Sequence, residues 1–196
     1  MLKKYQTMLF NLKDFSNSEL DKKIKTFKTK YNSQLKKNGT IWIFCNSYFK
    51  KNEIFHSPFY IAEKFSDFYL KNIMITPSFL NFSGQAIFRN YITNILFFAK
   101  DEKYYFNKDP IREKHIWKDV EWGKRKKNYN PKGKDPGNVW LKTKDDGKAN
   151  ITEHCPLSFQ EVVKRCYLTT SKKQDEILLI NFKKFRDKKN LNYAKI

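Results

Sequence analysis

The sequence has 196 residues, 40% of them hydrophobic and 17% aromatic, and this composition excludes an intrinsically disordered chain and suits one domain with a real core. Forty lysines and arginines outnumber twenty acidic residues, and the net charge of +20 favours a polyanionic partner, although a solvated lysine-rich surface would explain the same surplus. There is no stretch of about 18 apolar residues and no secretory signal, so we expect a cytoplasmic protein without a membrane span.

The first predicted element is a helix over residues 18–37. An apolar stripe at steps of three and four runs from Leu20 to Leu35, and Gly39 is expected to end the helix. Residues 40–45 form a short apolar run without strict alternation, which predicts a strand buried on both faces. A helix, a glycine and a buried strand in this order indicate an α/β fold.

The next predicted elements continue this α/β pattern. A second helix begins at Ser57-Pro58, where proline suits the first helical position. Residues 72–76 predict a second buried strand and residues 92–100 a third. The aromatic run at 104–106 is expected to continue into a hairpin or an edge strand.

The chain changes character between residues 107 and 150. Prolines, glycines and clustered charge replace the apolar periodicity, so we interpret this stretch as a long functional insertion or a poorly ordered loop. Ser158 and Glu161 then form a capping-box pair that predicts the start of another helix. Residues 176–180 predict a fourth buried strand. The basic tail, residues 183–196, has no core pattern and is expected to be disordered.

Four blocks of the sequence, taken in order, resemble a single protein family. The last block contains the turn HCPLSF, a helix, and the entry to a buried strand. Together the blocks resemble the DNA N4-cytosine and N6-adenine methyltransferases of restriction–modification type, in which the catalytic motif precedes the cofactor motif. The blocks are residues 35–44, 88–107, 135–140 and 154–179.

This resemblance implies an incomplete methyltransferase-type, Rossmann-like α/β fold with a mostly parallel sheet, flanking helices and a long inserted target-recognition region. It divides the chain into a partial catalytic half at 1–106, a basic insertion at 107–150, a partial cofactor-binding segment at 151–182 and the tail. The resemblance also implies that S-adenosylmethionine is the cofactor. The residues expected at its pocket are His154, Pro156, Ser158 and Phe182.

The basic insertion supplies most of the candidates for contact with double-stranded DNA. Lysines and arginines neutralise phosphates, and interleaved aromatic rings stack on an extruded base or fill a groove. A solvated loop with a local aromatic cluster is the alternative interpretation, and Arg89 and Asn90 would equally well stabilise a turn. The candidates are Arg89, Asn90, Trp122, Lys124, Arg125, Lys126, Lys127, Tyr129, Lys132 and Lys134.

Two motifs of the family are absent from the sequence. No two of the six prolines are adjacent, so there is no Pro-Pro-aromatic loop of the kind that receives the target amino group, expected upstream of the first helix. Ile180 stands where the family has an acid, and no glycine-rich turn follows Phe182. We therefore assign no catalytic residue and interpret the chain as truncated or degenerate. Weak or lost cofactor binding and no methyl transfer by the chain alone are expected, unless a second chain supplies the missing motifs.

The three cysteines do not point to another chemistry. Cys45, Cys155 and Cys166 have no metal-ligand spacing, and their odd number gives no disulfide framework. We expect no metal site, and Cys45 is expected in the core. A non-catalytic basic nucleic-acid-binding protein is the alternative function. A third hypothesis is an unrelated α/β protein whose charge reflects compositional bias.

Overall fold

A computed structural model of the protein describes residues 3–13, 15, 17–50, 53–77, 92–115, 130–145, 152–182 and 193–195. The helices are α1 (Asn17–Thr26), α2 (Ser57–Lys64) and α3 (Phe159–Thr170). The strands are β1 (Tyr5–Asn11), β2 (Leu35–Cys45), β3 (Tyr48–Lys50), β4 (Glu53–Phe55), β5 (Tyr69–Pro77), β6 (Ile92–Ala99), β7 (Leu141–Asp145), β8 (Thr152–Pro156), β9 (Ile177–Ile180) and β10 (Tyr193–Lys195).

One sheet of six strands organises these elements, in the order β10-β9-β1-β2-β6-β5. β1 is parallel to β2 and β9, and β9 is parallel to β10, whereas β6 is antiparallel to both β2 and β5. Five strands of this sheet therefore point the same way and β6 is reversed. This confirms the predicted α/β fold with a mostly parallel sheet, and the four predicted strands all belong to it.

The centre of the sheet is a strand that the sequence analysis did not predict. β1 lies between β9 and β2, and all of it except its last residue is buried. The polar residues Gln6 and Thr7 interrupt its apolar pattern. Gln6 Nε2 donates to the backbone oxygen of Asn38 at 3.0 Å, and the Thr7 hydroxyl bonds to that of Thr40 at 3.2 Å. Because both side chains find partners, they are tolerated inside the sheet.

The helix predicted over residues 18–37 ends earlier than expected. α1 stops at Thr26 and continues as short π-helical and 3-10 turns. Leu35 already belongs to β2 and pairs with Tyr5, before a shift in register. Gly39 thus lies within β2 and does not end the helix. A Cβ atom at residue 39 would lie 2.7 Å from the Leu35 side chain, so the irregular strand leaves room only for glycine.

Apolar side chains alternate between the two faces of the sheet, as strand geometry requires. On β2, Ile41 and Ile43 belong to the core beneath α1 and α2, while Trp42 and Phe44 belong to the core beneath α3. Both faces are covered by helices. This explains why residues 40–45 are apolar throughout, as predicted for a strand buried on both sides.

Two other predictions are wrong. The run at 104–106 forms no strand; instead, the rings of Tyr104 and Phe106 pack on Phe97 with centroid distances of 5.6 and 5.8 Å. The tail is not wholly disordered, because Tyr193–Lys195 forms β10 on the edge of β9. That edge would otherwise leave a row of backbone groups unpaired.

The basic insertion predicted at 107–150 is anchored at both of its ends. Its first part contains a 3-10 turn, Asp109–Ile111, and Glu113 pairs with Lys134 across the insertion. β7 pairs with β8 and leads the chain back to α3. Among the described helices, none has the length and apolar character needed to cross a membrane.

Candidate functional site

The candidate site lies at the carboxyl edge of the sheet. β1, β2, β5 and β9 end at this edge, and the reversed strand β6 begins there. Ligands of open α/β sheets bind outside the carboxyl ends of the strands, at the point where the strand order changes direction. Here that point lies between β1 and β9, because β2 is added to the sheet on one side of this pair and β10 on the other side.

Two asparagines join the strand ends at this switch point. Asn11 ends β1 and Asn181 directly follows β9, and each side-chain amide donates to the backbone oxygen of the other at 3.4 Å. Asn181 has a φ of 63°, a left-handed conformation that asparagine tolerates better than most residues. The chain therefore turns sharply after β9, and the next residue, Phe182, is buried.

Two hydrogen bonds from backbone N–H groups hold the loop after β1 in place. The N–H of Lys13 donates to Asn11 Oδ1 at 3.2 Å, which is an Asx turn. The N–H of Leu12 donates to the backbone oxygen of Phe44 at 2.8 Å and fixes the loop against β2. A proline at position 13 would remove the hydrogen bond to Asn11, because proline has no backbone N–H. Asn11 Oδ1 thus uses one of its two lone pairs within the chain.

A cavity of about 580 Å³ opens beside this loop. The ends of β2, β5 and β6 form one side, and the turn at 155–158 with the first residues of α3 forms the other. Lys13 lies at its rim, where Nζ is 4.7 Å from the centroid of the Phe159 ring. The volume lies within the range of small-molecule sites, about 300–1,000 Å³.

Three phenylalanines separate the cavity from the core beneath α3. Phe159 and Phe182 stack, with ring centroids 5.7 Å apart and an interplanar angle of 19°. Phe44 meets these two rings edge-on at 5.7 and 5.5 Å. Phe44 and Phe182 are buried, whereas Phe159 is 36% exposed and presents its ring to the cavity. This wall suits an apolar or planar group of a ligand.

α3 begins at the cavity with a fixed geometry. The backbone N–H of Ser158 donates to the Glu161 carboxylate at 2.9 Å, and the N–H of Glu161 donates to the Ser158 hydroxyl oxygen at 3.3 Å. The Ser158 hydroxyl also donates to the carboxylate at 2.7 Å, and this contact is the main reason why the pKa of Glu161 is lowered. The predicted capping box is confirmed, and it holds the turn against the cavity.

The structure brings three of the four predicted cofactor-pocket residues to this edge. Pro156 and Ser158 line the cavity, and Phe182 lies behind the ring of Phe159. His154 belongs to β8, but its side chain lies outside the described residues.

The sequence analysis missed Asn11, Lys13 and Asn181. Their local signal, polar residues directly after a buried strand, is weak, and Asn11 could not be placed while β1 was unrecognised. No group of three His, Cys, Asp or Glu side chains in the described ranges could hold a metal ion.

The two predicted DNA-contact residues that the structure describes lie together in a turn away from the cavity. Lys132 Nζ is 2.5 Å from Asp109 Oδ2, and this contact contributes most to the lowered pKa of Asp109. Lys134 exchanges backbone hydrogen bonds with Glu113 at 2.7 and 3.0 Å, and its side chain is exposed. The other candidates lie outside the described residues: Arg89, Asn90, Trp122, Lys124, Arg125, Lys126, Lys127 and Tyr129.

Comparisons with known proteins agree with this architecture. A family model described as DNA methylase, of the N6 and N4 type, matches residues 5–192. No curated protein sequence matches the chain.

Several solved structures share the fold. The PvuII DNA methyltransferase, described as cytosine-N4-specific, aligns with a TM-score of 0.56 at 11% identity, covering 91% of this chain and 68% of that one. TTHA0409 from Thermus thermophilus, in complex with S-adenosyl-L-methionine, gives a TM-score of 0.54 at 17% identity, with 89% and 70% covered. M1.HpyAVI gives a TM-score of 0.52 at 14% identity, with 91% and 69% covered. At these identities the likeness shows a common fold.

Proposed function

Because this chain belongs to the DNA methylase family, we propose that it is a DNA amino-methyltransferase chain that binds S-adenosylmethionine weakly and does not transfer the methyl group by itself. The target is adenine N6 or cytosine N4 in double-stranded DNA. In this proposal, residues 1–106 and 151–182 together form the catalytic and cofactor-binding body, and residues 107–150 contact DNA. A second chain that supplied the missing motifs would complete the enzyme.

The residues at the carboxyl edge fit one wall of a cofactor site. Pro156, Ser158 and Phe159 would hold the cofactor on the α3 side of the cavity, with Phe182 behind them. Asn181 provides the sharp turn after β9 that lets backbone approach a ligand. The end of β9 lacks an acid, because the residue there is the buried Ile180. S-adenosylmethionine, when bound, supplies the methyl group.

The observation that carries the second half of the proposal is the Asx turn after β1. Transfer to an exocyclic amino group requires acceptor oxygens that take up its developing positive charge. Asn11 stands at the end of the central strand, but its Oδ1 already accepts the N–H of Lys13. This hydrogen bond uses one of the two lone pairs of Oδ1, which makes Asn11 a poorer acceptor for the amino group.

Cofactor binding is tested by calorimetric titration of the whole chain with S-adenosylmethionine. We expect binding in the millimolar range, weakened by Phe159→Ala because the exposed ring of the wall is removed. Phe59→Ala is the matched control, since Phe59 is an exposed phenylalanine on α2 that does not line this cavity. Equal binding by both variants would place the cofactor elsewhere.

Catalysis is tested by incorporation of a labelled methyl group from S-adenosylmethionine into duplex DNA. The wild-type chain should incorporate none above background, and incorporation by the purified chain alone would overturn the proposal of inactivity. Lys13→Pro removes the N–H that bonds to Asn11 Oδ1 and frees both lone pairs of this oxygen, so any activity should emerge first in this variant.

DNA binding is tested with duplex DNA over a series of salt concentrations. Phosphate contacts predict an affinity that falls steeply with salt. Lys134→Ala should weaken binding more than Lys132→Ala, because Lys132 is already paired with Asp109. The net charge of +20 also favours the alternative, a nucleic-acid-binding protein without catalysis. Salt-dependent DNA binding without any S-adenosylmethionine binding would select that alternative.

A further inference from the structure

A second cavity, of about 470 Å³, lies on the sheet face beneath α3 and apart from the carboxyl edge. It opens between β5, the segment after β6 and the turn at 135–138, and no residue lines both this cavity and the one at the carboxyl edge. The proposed cofactor site therefore leaves it unused. We call it the aromatic cavity.

Stacked rings form the floor and one wall of the aromatic cavity. Trp42 and Phe97 stack with centroids 4.2 Å apart at 12°, and Trp140 lies 6.1 Å from Trp42. Phe106 continues the stack on Phe97 at 5.8 Å and 24°. The first three rings are buried, but Phe106 is 48% exposed. The exposed part of Phe106 therefore offers ring surface that a further planar ring could contact.

The charges at the mouth favour an anionic ligand. Lys71 Nζ lies 5.3 Å above the ring of Tyr104, and Lys71 forms no ion pair with a carboxylate of the described residues. The carboxylate at the mouth, Asp135, is bound by Lys108 and by the N–H of Gly137 at 3.1 Å. Its charge is thus compensated within the protein, which leaves the charge of Lys71 in excess. A cationic ligand would face that charge and find no free carboxylate among the described residues that line the cavity.

We propose that the aromatic cavity binds an unpaired nucleotide, with the base stacked on Phe106 and the phosphate at Lys71. Base-to-aromatic stacking does not depend on sequence, because every base has a π face, and a lysine beside the rings supplies the phosphate contact. Asn72 and Asn138 add polar side chains to the lining of the cavity. The source of the nucleotide is either a free deoxynucleotide or a nucleotide unpaired in DNA.

The test follows the Trp140 indole N–H signal by ¹H–¹⁵N NMR during titration of the whole chain. This N–H donates to the backbone oxygen of Gly137 at 3.1 Å, and both residues line the aromatic cavity. The probes are dAMP, inorganic phosphate, a short single-stranded oligodeoxyadenylate and its duplex with oligodeoxythymidylate. We expect dAMP or the single strand to shift this signal, and phosphate alone to leave it unmoved. A shift caused by dAMP identifies a free-nucleotide site. A shift caused by the single strand but not by dAMP identifies DNA as the source.

Variants separate stacking from charge. Phe106→Ala should raise the Kd about fivefold or more, the lower end of what base stacking contributes. For the single strand, Lys71→Gln should reduce the slope of log Kd against the logarithm of the salt concentration by about 0.7. Leu70→Ala is the control, because Leu70 is an exposed residue of the same strand that does not line the cavity.

The proposal is overturned if no nucleotide probe moves the Trp140 signal, if phosphate alone moves it as dAMP does, or if Phe106→Ala binds as tightly as Leu70→Ala. These outcomes are independent of S-adenosylmethionine binding at the carboxyl edge. Failure of this inference and failure of the proposed function are therefore separate results.

Discussion

Removing the Thr170 hydroxyl should uncouple the end of α3 from the sheet, because this hydroxyl is the centre of a buried network. Trp42 Nε1 donates to Thr170 Oγ1 at 3.0 Å, and Thr170 Oγ1 donates to the backbone oxygen of Cys166 at 3.0 Å. The hydroxyls of Thr170 and Thr7 lie 3.1 Å apart. The network links α3 to β1 and β2, and α3 begins at the cavity of the carboxyl edge. Thr170→Val keeps the side-chain shape and removes these bonds.

The magnitude follows from the burial of the indole. Trp42 is 1% exposed, so after Thr170→Val its N–H has no water to replace the lost acceptor. A buried donor without a partner costs about 1–3 kcal/mol. Thr7 still bonds to the hydroxyls of Thr40 at 3.2 Å and Ser171 at 2.7 Å, so losing its bond to the Thr170 hydroxyl lowers the stability little. We expect the free energy of unfolding to fall by about 1–3 kcal/mol.

The assay is urea unfolding followed by circular dichroism, with Thr29→Val as the matched control. The Thr29 hydroxyl bonds to the backbone oxygen of Lys25 on an exposed helix surface, so its removal should change stability by about 0.5 kcal/mol or less. A double-mutant cycle with Trp42→Phe isolates the indole contact, because phenylalanine has no side-chain N–H that could be left without an acceptor. In that background Thr170→Val should cost about 1–3 kcal/mol less than in the wild type.

Two results would refute this reasoning. The first is a Thr170→Val variant that is as stable as Thr29→Val. The second is an equal cost of Thr170→Val with and without the indole, which would mean that the hydroxyl acts through α3 alone.

Three other outcomes are expected from the packing, the capping box and the thiols. Gly39→Ala should destabilise the chain by about 1–3 kcal/mol in urea unfolding, because the added Cβ would lie 2.7 Å from Leu35 side-chain atoms. Ser158→Ala should cost about 1 kcal/mol near pH 7. That difference should shrink in acid, below the ordinary pKa of a glutamate, because the lowered pKa of Glu161 means that its carboxylate stabilises the fold only while ionised. A thiol reagent should modify Cys155 in the folded protein but the two buried cysteines only after unfolding, since burial raises the pKa of their thiols.

Parts of the fold could be predicted because their signals are local. The strand at 40–45 is apolar at every position since both faces are covered, and the capping box at Ser158 uses residues three apart. The turn from Pro156 to Ser158 was predicted from short, contiguous motifs, and it lines a cavity; that this cavity holds the cofactor stays a prediction. These features need no knowledge of which distant segments meet.

Other parts depended on pairing across the chain. Thr7 breaks the apolar pattern of β1, and only its bonds to Thr40 and Thr170 explain why a buried central strand accepts it. Lys132 has the sequence context of a phosphate contact, but Asp109 lies within 2.5 Å of it in the fold. Charge pairing of this kind is set by how two loops approach, which the sequence of either loop does not encode.

The sequence by itself therefore determined the α/β class, the family resemblance and the apolar surfaces that must be buried, because periodicity and short motifs follow from local geometry. Only the tertiary structure decided that β1 lies at the centre and that Asn11 meets Asn181 at the switch point. It also decided that the N–H of Leu12 bonds to the backbone oxygen of Phe44 on β2. The physical reason is that hydrophobic burial is non-directional, so it determines which residues are buried. Hydrogen-bond geometry between distant segments determines which segments lie next to each other.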